Sequence, residues 1–183
     1  MIATAAKSGN GPGKDSVHIW EYPNGRIVER VDLAPAICLA WAPNQPLLAI
    51  GGSSVFFWDE SVGLRTAKNA PQLKIAHLSW SPDGKLLAMG GRDCIWLWSL
   101  DEQRIVSTLK IPEASADLRV RSLAWSPDGR SLASHSSDNV VRVWDPITGE
   151  ATQSIAGIQR DGLAWSREGK ILALFEHDVD NFI

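Results

Sequence analysis

"SWSPDGKLLAMGGRDCIWLWSLD" runs from Ser79 to Asp101, and a near-copy, "AWSPDGRSLASHSSDNVVRVWDP", runs from Ala124 to Pro146, offset by 45 residues. Ser-Pro-Asp-Gly is either an active-site loop that occurs twice or a joint that every structural unit requires. The tryptophans decide between these. One series, Trp41, Trp80, Trp125 and Trp165, stands just before a turn, at spacings of 39, 45 and 40. A second series, Trp20, Trp58, Trp98 and Trp144, closes an alternating apolar run, at spacings of 38, 40 and 46. The two interleave with offsets of 17, 18 and 19 residues. Two rulers that agree on one period define an internal repeat of about 40 residues.

Each unit reads as four short strands, here lettered a to d. Strand a is "HLSW" or "SLAW", and "SPDG" turns it into strand b, "KLLAMG" or "RSLAS". A polar turn leads to strand c, "CIWLWS" or "VVRVWD", and a Gly or acidic turn leads to strand d, "RIVSTL" or "ATQSI". Short β-branched and aromatic runs bounded by Gly, Pro and Asp are strand signals. No helical periodicity and no linker interrupts them. One such meander cannot bury both faces alone, so copies must stack, and the flat Trp side chain suits the gap between sheets.

The period, "WSPDG" after strand a, and "VVRVWDPITGE" (140–150) between strands c and d resemble WD-repeat β-propellers. "HIWEYPNG" and "FFWDE" are looser matches. A rival propeller family also uses Ser-Pro-Asp-Gly but closes strand c with Tyr-containing segments. The resemblance implies an all-β fold, a β-propeller of repeated four-stranded antiparallel blades. Blades are expected at 1–34 (lacking strand a), 35–70, 73–111, 118–156 and 159–183 (incomplete). At about 4.6 repeat periods, the chain is expected to be a fragment or incomplete ring, with open blade ends available for self-association. The family often links a His, a Ser or Thr, an Asp and the strand-c Trp by hydrogen bonds. Ser134, Asp138 and Trp144 fill three of those places, while Ala116 stands at the His position. Asp93 with Trp98, and Asp15 with Trp20, look like partial versions, so the turns are expected to be held by Asp side chains bonding nearby backbone N–H groups and not by the full set.

Composition narrows the function. The chain of 183 residues is 44% hydrophobic and 21% charged, which excludes a disordered chain. Its formal net charge of -3 comes without a basic block, so nucleic acid is not an expected partner. No apolar run approaches the roughly 20 residues that span a bilayer, so no membrane partner is expected. Cys38 and Cys94 lie in apolar runs and read as reduced, core-filling thiols. With no signal peptide visible, the expected location is cytoplasmic.

No catalytic, cofactor or metal site is expected. "GNGPGKDS" (9–16) lacks the spacing of a phosphate loop, because Ser8 and Asp15 occupy the required Gly and Ser/Thr places. "FEHDVDN" (175–181) breaks the calcium-loop pattern at Phe182. "GGSSV" (51–55) lacks the second Gly of a nucleophile elbow. His18 and His77 fall in strands and His135 at a b–c turn, and acids do not recur in register at strand starts. Trp96 is outside both series and shares a sheet face with Trp98.

Antiparallel strands place the d–a and b–c loops at one end of each blade and the a–b and c–d turns at the other. The irregular segments, 7–15 and 111–119, both belong to the d–a/b–c end. Long loops on a rigid scaffold are where binding concentrates. The expected partner-binding face therefore carries Lys14, Asp15, Arg92, Asp93, Glu113, Asp117, Arg119 and Arg121. The resemblance implies a non-catalytic scaffold for a protein or peptide partner, possible as the sensor part of a larger signalling protein. The alternative is the accessory propeller of a hydrolase, or one that binds a small molecule.

Overall fold

The computed structural model describes residues 1–6, 16–33, 36–72, 74–112, 117–158 and 162–174. These residues form strands and turns with no helix. The first sheet holds β1 (Ile2–Ala6), β2 (Ser16–Glu21) and β3 (Arg26–Asp32). The second holds β4 (Ala36–Trp41), β5 (Leu47–Gly52), β6 (Val55–Asp59) and β7 (Gly63–Thr66). The third holds β8 (His77–Trp80), β9 (Leu86–Gly90), β10 (Cys94–Ser99) and β11 (Arg104–Lys110). The fourth holds β12 (Val120–Trp125), β13 (Leu132–Ser136), β14 (Val140–Trp144) and β15 (Ala151–Ala156), and a fifth pairs β16 (Leu163–Trp165) with β17 (Leu172–Leu174). In every sheet the strands follow chain order and pair antiparallel.

Three apolar clusters fill the gaps between consecutive sheets. Val17, Ile19 and Val31 of the first sheet meet Leu48, Ile50 and Trp58 of the second. Val55 and Phe57 of the second meet Trp80, Met89 and Trp98 of the third. Ile95, Leu97 and Leu109 of the third meet Val120, Trp125 and Trp144 of the fourth. The middle strands are therefore covered on both sides, as β5 and β13 show by being buried at every residue. Strand β15, by contrast, is exposed at every residue. Trp58, Trp98 and Trp144 are fully buried. Each aromatic ring of this kind removes about 150–250 Å² from water, an upper contribution of roughly 4–6 kcal/mol.

The strand-a tryptophans lock neighbouring sheets by one repeated bond. Trp80 Nε1 donates to the Ala40 carbonyl (3.1 Å), Trp125 Nε1 to Ser79 (3.1 Å) and Trp165 Nε1 to Ala124 (3.0 Å). In each case the acceptor is the small residue just before the previous sheet's own strand-a Trp. The buried Nε1 of Trp41 has no acceptor among the described residues; its ring packs edge-on against Trp58 instead. The strand-c tryptophans bond individually. Trp20 donates to Thr4 Oγ1 (3.0 Å), Trp58 to the Glu29 carboxylate, Trp98 to the Lys68 carbonyl (3.0 Å) and Trp144 to Ser134 Oγ (2.8 Å).

One detail differs from the sequence reading. His135 lies inside β13 rather than at the turn, fully buried, with Nε2 3.0 Å from the Ile158 carbonyl. Strand β13 runs on to Ser136, so the turn begins two residues after His135. Asp138 holds its own turn, as the sequence reading expects: its carboxylate accepts from Val140 N (3.2 Å) and pairs with Arg142 (2.7 Å).

Candidate docking face

The a–b and c–d end is self-contained. In the Ser81–Leu86 turn, Asp83 Oδ1 accepts from Ser81 Oγ (2.6 Å) and Lys85 N (3.1 Å), and Ser81 Oγ accepts from Leu86 N (2.9 Å). The Ser126–Ser131 turn repeats this with Asp128, Arg130 N (3.0 Å) and Ser131 N (2.9 Å). Gly84 and Gly129 hold φ of 72° and 70°, a region that side chains resist. At the c–d turns, Asp59 accepts from Ser61 N, Ser61 Oγ and Val62 N, and pairs with Arg65 (2.6 Å). Asp145 caps Ile147 N (2.7 Å) and Thr148 N (3.2 Å). The seryl hydroxyl bonds, from Ser61, Ser81 and Ser126, lead the causes that hold the carboxyls of Asp59, Asp83 and Asp128 below their ordinary range. These acids are occupied by their own turns. The cavity of about 370 Å³ between the two Ser-Pro-Asp-Gly turns is accordingly lined by satisfied groups.

The opposite end is built otherwise. Its backbone is tied across sheets: Ile75 N donates to the Gly52 carbonyl (2.8 Å), and Val120 N to the Gly91 carbonyl (3.0 Å). The Arg119 backbone is clamped by Ser137, accepting from its N–H (2.9 Å) and donating to its hydroxyl (2.9 Å). Ile75, Leu118 and Val120 are buried. Chain alternation then turns their neighbours, Lys74 and Arg119, outward. Both stand six residues before a strand-a Trp, so they are the same position in successive units.

Lys74, Arg92 and Arg119, with Ile37, Ala76 and Gly91, line one cavity of about 320 Å³. Lys74, Arg92, Asp93 and Trp96 line an adjoining one of about 280 Å³. Among the described residues, none of the three cations has a carboxylate within ion-pair distance. The one acid at the rim among the described residues, Asp93, stands beside the Cys94 thiol. Burial first, and that carboxylate second, push Cys94 up to about 12. Cys38 is likewise raised by burial to about 12, and both thiols are free. Trp96 packs partly into the cluster that also contains Trp98, and its exposed edge walls the cavity. A Cβ at Gly91 would collide with the Trp96 ring, so glycine is required there by close approach.

The structure thus brings Arg92, Asp93 and Arg119 together. Asp117 is exposed on the same loop and Arg121 is half-buried in β12; neither lines these cavities. Lys14, Asp15 and Glu113 lie outside the described residues, as does the 175–181 cluster. The sequence reading missed Lys74, Ile37 and Ala76. Register would have found Lys74, through its equivalence to Arg119. Among the described residues no group of three or more His, Cys, Asp or Glu is placed to hold a metal ion, and no helix is long and apolar enough to cross a membrane.

Stacked four-stranded antiparallel sheets joined through their innermost strands define a β-propeller architecture, here part of one. The family comparisons agree. The model of the WD domain, G-beta repeat, matches residues 66–99, and that of the anaphase-promoting complex subunit 4 WD40 domain matches residues 92–161. The chain belongs to the WD-repeat family. No curated protein matches it in sequence.

Proposed function

We propose that this chain is a non-catalytic interaction module that docks a protein or peptide partner on its d–a/b–c face. WD-repeat domains generally serve as protein-interaction scaffolds, and one matching model describes a subunit of a named complex. The observation that carries the choice of face is the contrast in charge. Asp59, Asp83, Asp128 and Asp145 are bonded within their own turns, whereas Lys74, Arg92 and Arg119 converge on a cavity without a carboxylate partner among the described residues. Arg with no carboxylate partner among the described residues, beside an exposed Trp edge, is the composition of binding hot spots. Two free thiols, Cys94 buried and Cys38 partly buried, fit a reducing compartment, which favours a cytoplasmic setting.

The test is selection of binders from an unbiased displayed peptide library, followed by hydrogen exchange on the complexes. The reading expects protection at 74–76, 91–93 and 117–121. Binders that protect 81–86 and 126–131 instead, or a selection that yields no binder, would refute it.

A further inference from the structure

Beyond the choice of face, the structure assigns a partner chemistry: we infer that the paired cavities receive an acidic peptide. Its glutamate or aspartate side chains meet Lys74, Arg92 and Arg119, and its intervening aliphatic side chains rest on Ile37, Ala76 and the Trp96 edge. This rests on the docking-face reading above.

Three features select this class. First, the charge is local. Among the described residues, three cations and one acid line the two cavities, in a chain whose formal net charge is -3. A long polyanion needs an extended basic track, and would meet repulsion beyond this spot. A short acidic segment needs only the spot. Second, the size fits side chains. Cavities of about 280 and 320 Å³ lie at the low end of ligand pockets and take one or two side chains each. Third, the walls are mixed. Two guanidinium groups offer the forks that match carboxylates. Ile37, 39% exposed, and the Trp96 edge offer apolar contact between them. A free inorganic anion would use only the cations.

The backbones that carry the two arginines are also ordered. The Arg119 main chain is held by Ser137 through two bonds, and Arg92 follows Gly91, whose carbonyl accepts from Val120 of the next sheet. A fixed main chain removes the cost of ordering a loop on binding, and the side chains alone lose freedom. Asp93 sets a direction within the cleft. It repels an acidic side chain near Cys94, so the carboxylates collect on the side of Lys74 and Arg119.

The experiment is fluorescence anisotropy with a labelled eight-residue peptide of alternating Glu and Leu, using the whole chain. Binding is expected to weaken about tenfold in each of Arg92→Ala and Arg119→Ala, and further in Arg119→Glu. It is expected to weaken as salt shortens the screening length. Asp93→Asn is expected to tighten it a fewfold, an effect a merely structural role would not give. Arg130→Ala, at the opposite end, is expected to leave it unchanged. Unchanged melting temperatures identify the losses as binding losses. Equal binding of the Gln-for-Glu peptide would overturn the inference. So would capture of a phosphoserine peptide, or of phosphatidylserine vesicles, with no binding of the Glu peptide. The library selection separates the two levels. Binders on this face that carry no acidic residues overturn the acidic assignment and leave the docking face standing. Absence of any binder on this face removes both.

Discussion

Asp83 and Lys74 sit at opposite ends of the same sheet, and their surroundings differ in kind. Asp83 is bonded by a hydroxyl and an amide of its own turn. Lys74 extends from an ordered backbone into a cavity shared with Arg92 and Arg119. The difference teaches how to tell a structural charge from a receptive one in a repeated fold. Bonds made within its own turn mark the first kind, because every unit needs the same joint. Lack of a partner around an ordered backbone marks the second. Cavity volume alone would mislead: the joint end has the larger space, about 370 Å³ against about 320 Å³.

The largest expected effect breaks both ends together. Trp98→Ala removes a fully buried side chain from the gap between the second and third sheets and strands the Lys68 carbonyl. Denaturant unfolding should show a loss of about 3–5 kcal/mol. Next comes the joint alone. Valine at Gly84 or Gly129 must adopt a positive φ, and each should cost about 1–2 kcal/mol in the same assay. Lys74→Ala and Arg119→Ala, at the other end, should stay within about 0.5 kcal/mol of wild type.

A subtler effect uses acid. The folded carboxyls of Asp83 and Asp128 lie below their ordinary value, chiefly through the Ser81 and Ser126 hydroxyls. Their contribution is present above the unfolded value of about 3.9 and is lost as pH falls through the lower folded value. The melting temperature should hold down to about pH 5 and drop below about pH 4. The drop should be shallower in Ser81→Ala/Ser126→Ala. The smallest effect concerns thiols. Cys38 and Cys94, both pushed up to about 12, should resist thiol reagents near neutral pH and label only as the chain unfolds.

Much of the fold was legible because its signals are local. The turn chemistry of Ser-Pro-Asp-Gly and the spacing of the two Trp series depend on strand length alone. They gave the sheets, their order and the stacking. The bond partners of Trp20, Trp58, Trp98 and Trp144 were not legible, since each depends on which atom lies across or beside the sheet: a Thr hydroxyl, a Glu carboxylate, a backbone carbonyl and a Ser hydroxyl. The pairing of Asp138 with Arg142 was hidden for the same reason. At the candidate site, Arg92, Asp93 and Arg119 stood out as charges in irregular loops. Lys74 did not, because "APQLKIAHLSW" carries no loop motif. Only alignment on Trp80 and Trp125 places Lys74 over Arg119. Trp96 was known to share a face with Trp98, but its exposed edge follows from where Gly91 lets the ring lie.

The most direct measurement sets the two ends against each other in one pair of variants, Lys74→Ala/Arg119→Ala and Ser81→Ala/Ser126→Ala, each assayed for melting temperature and for affinity to the Glu-Leu peptide. The account predicts a crossing: the first variant keeps its melting temperature and loses binding, and the second loses melting temperature and keeps binding. Binding that survives in the first variant, or falls in the second while it remains folded, would contradict the division of the blades into a structural end and a receptive end.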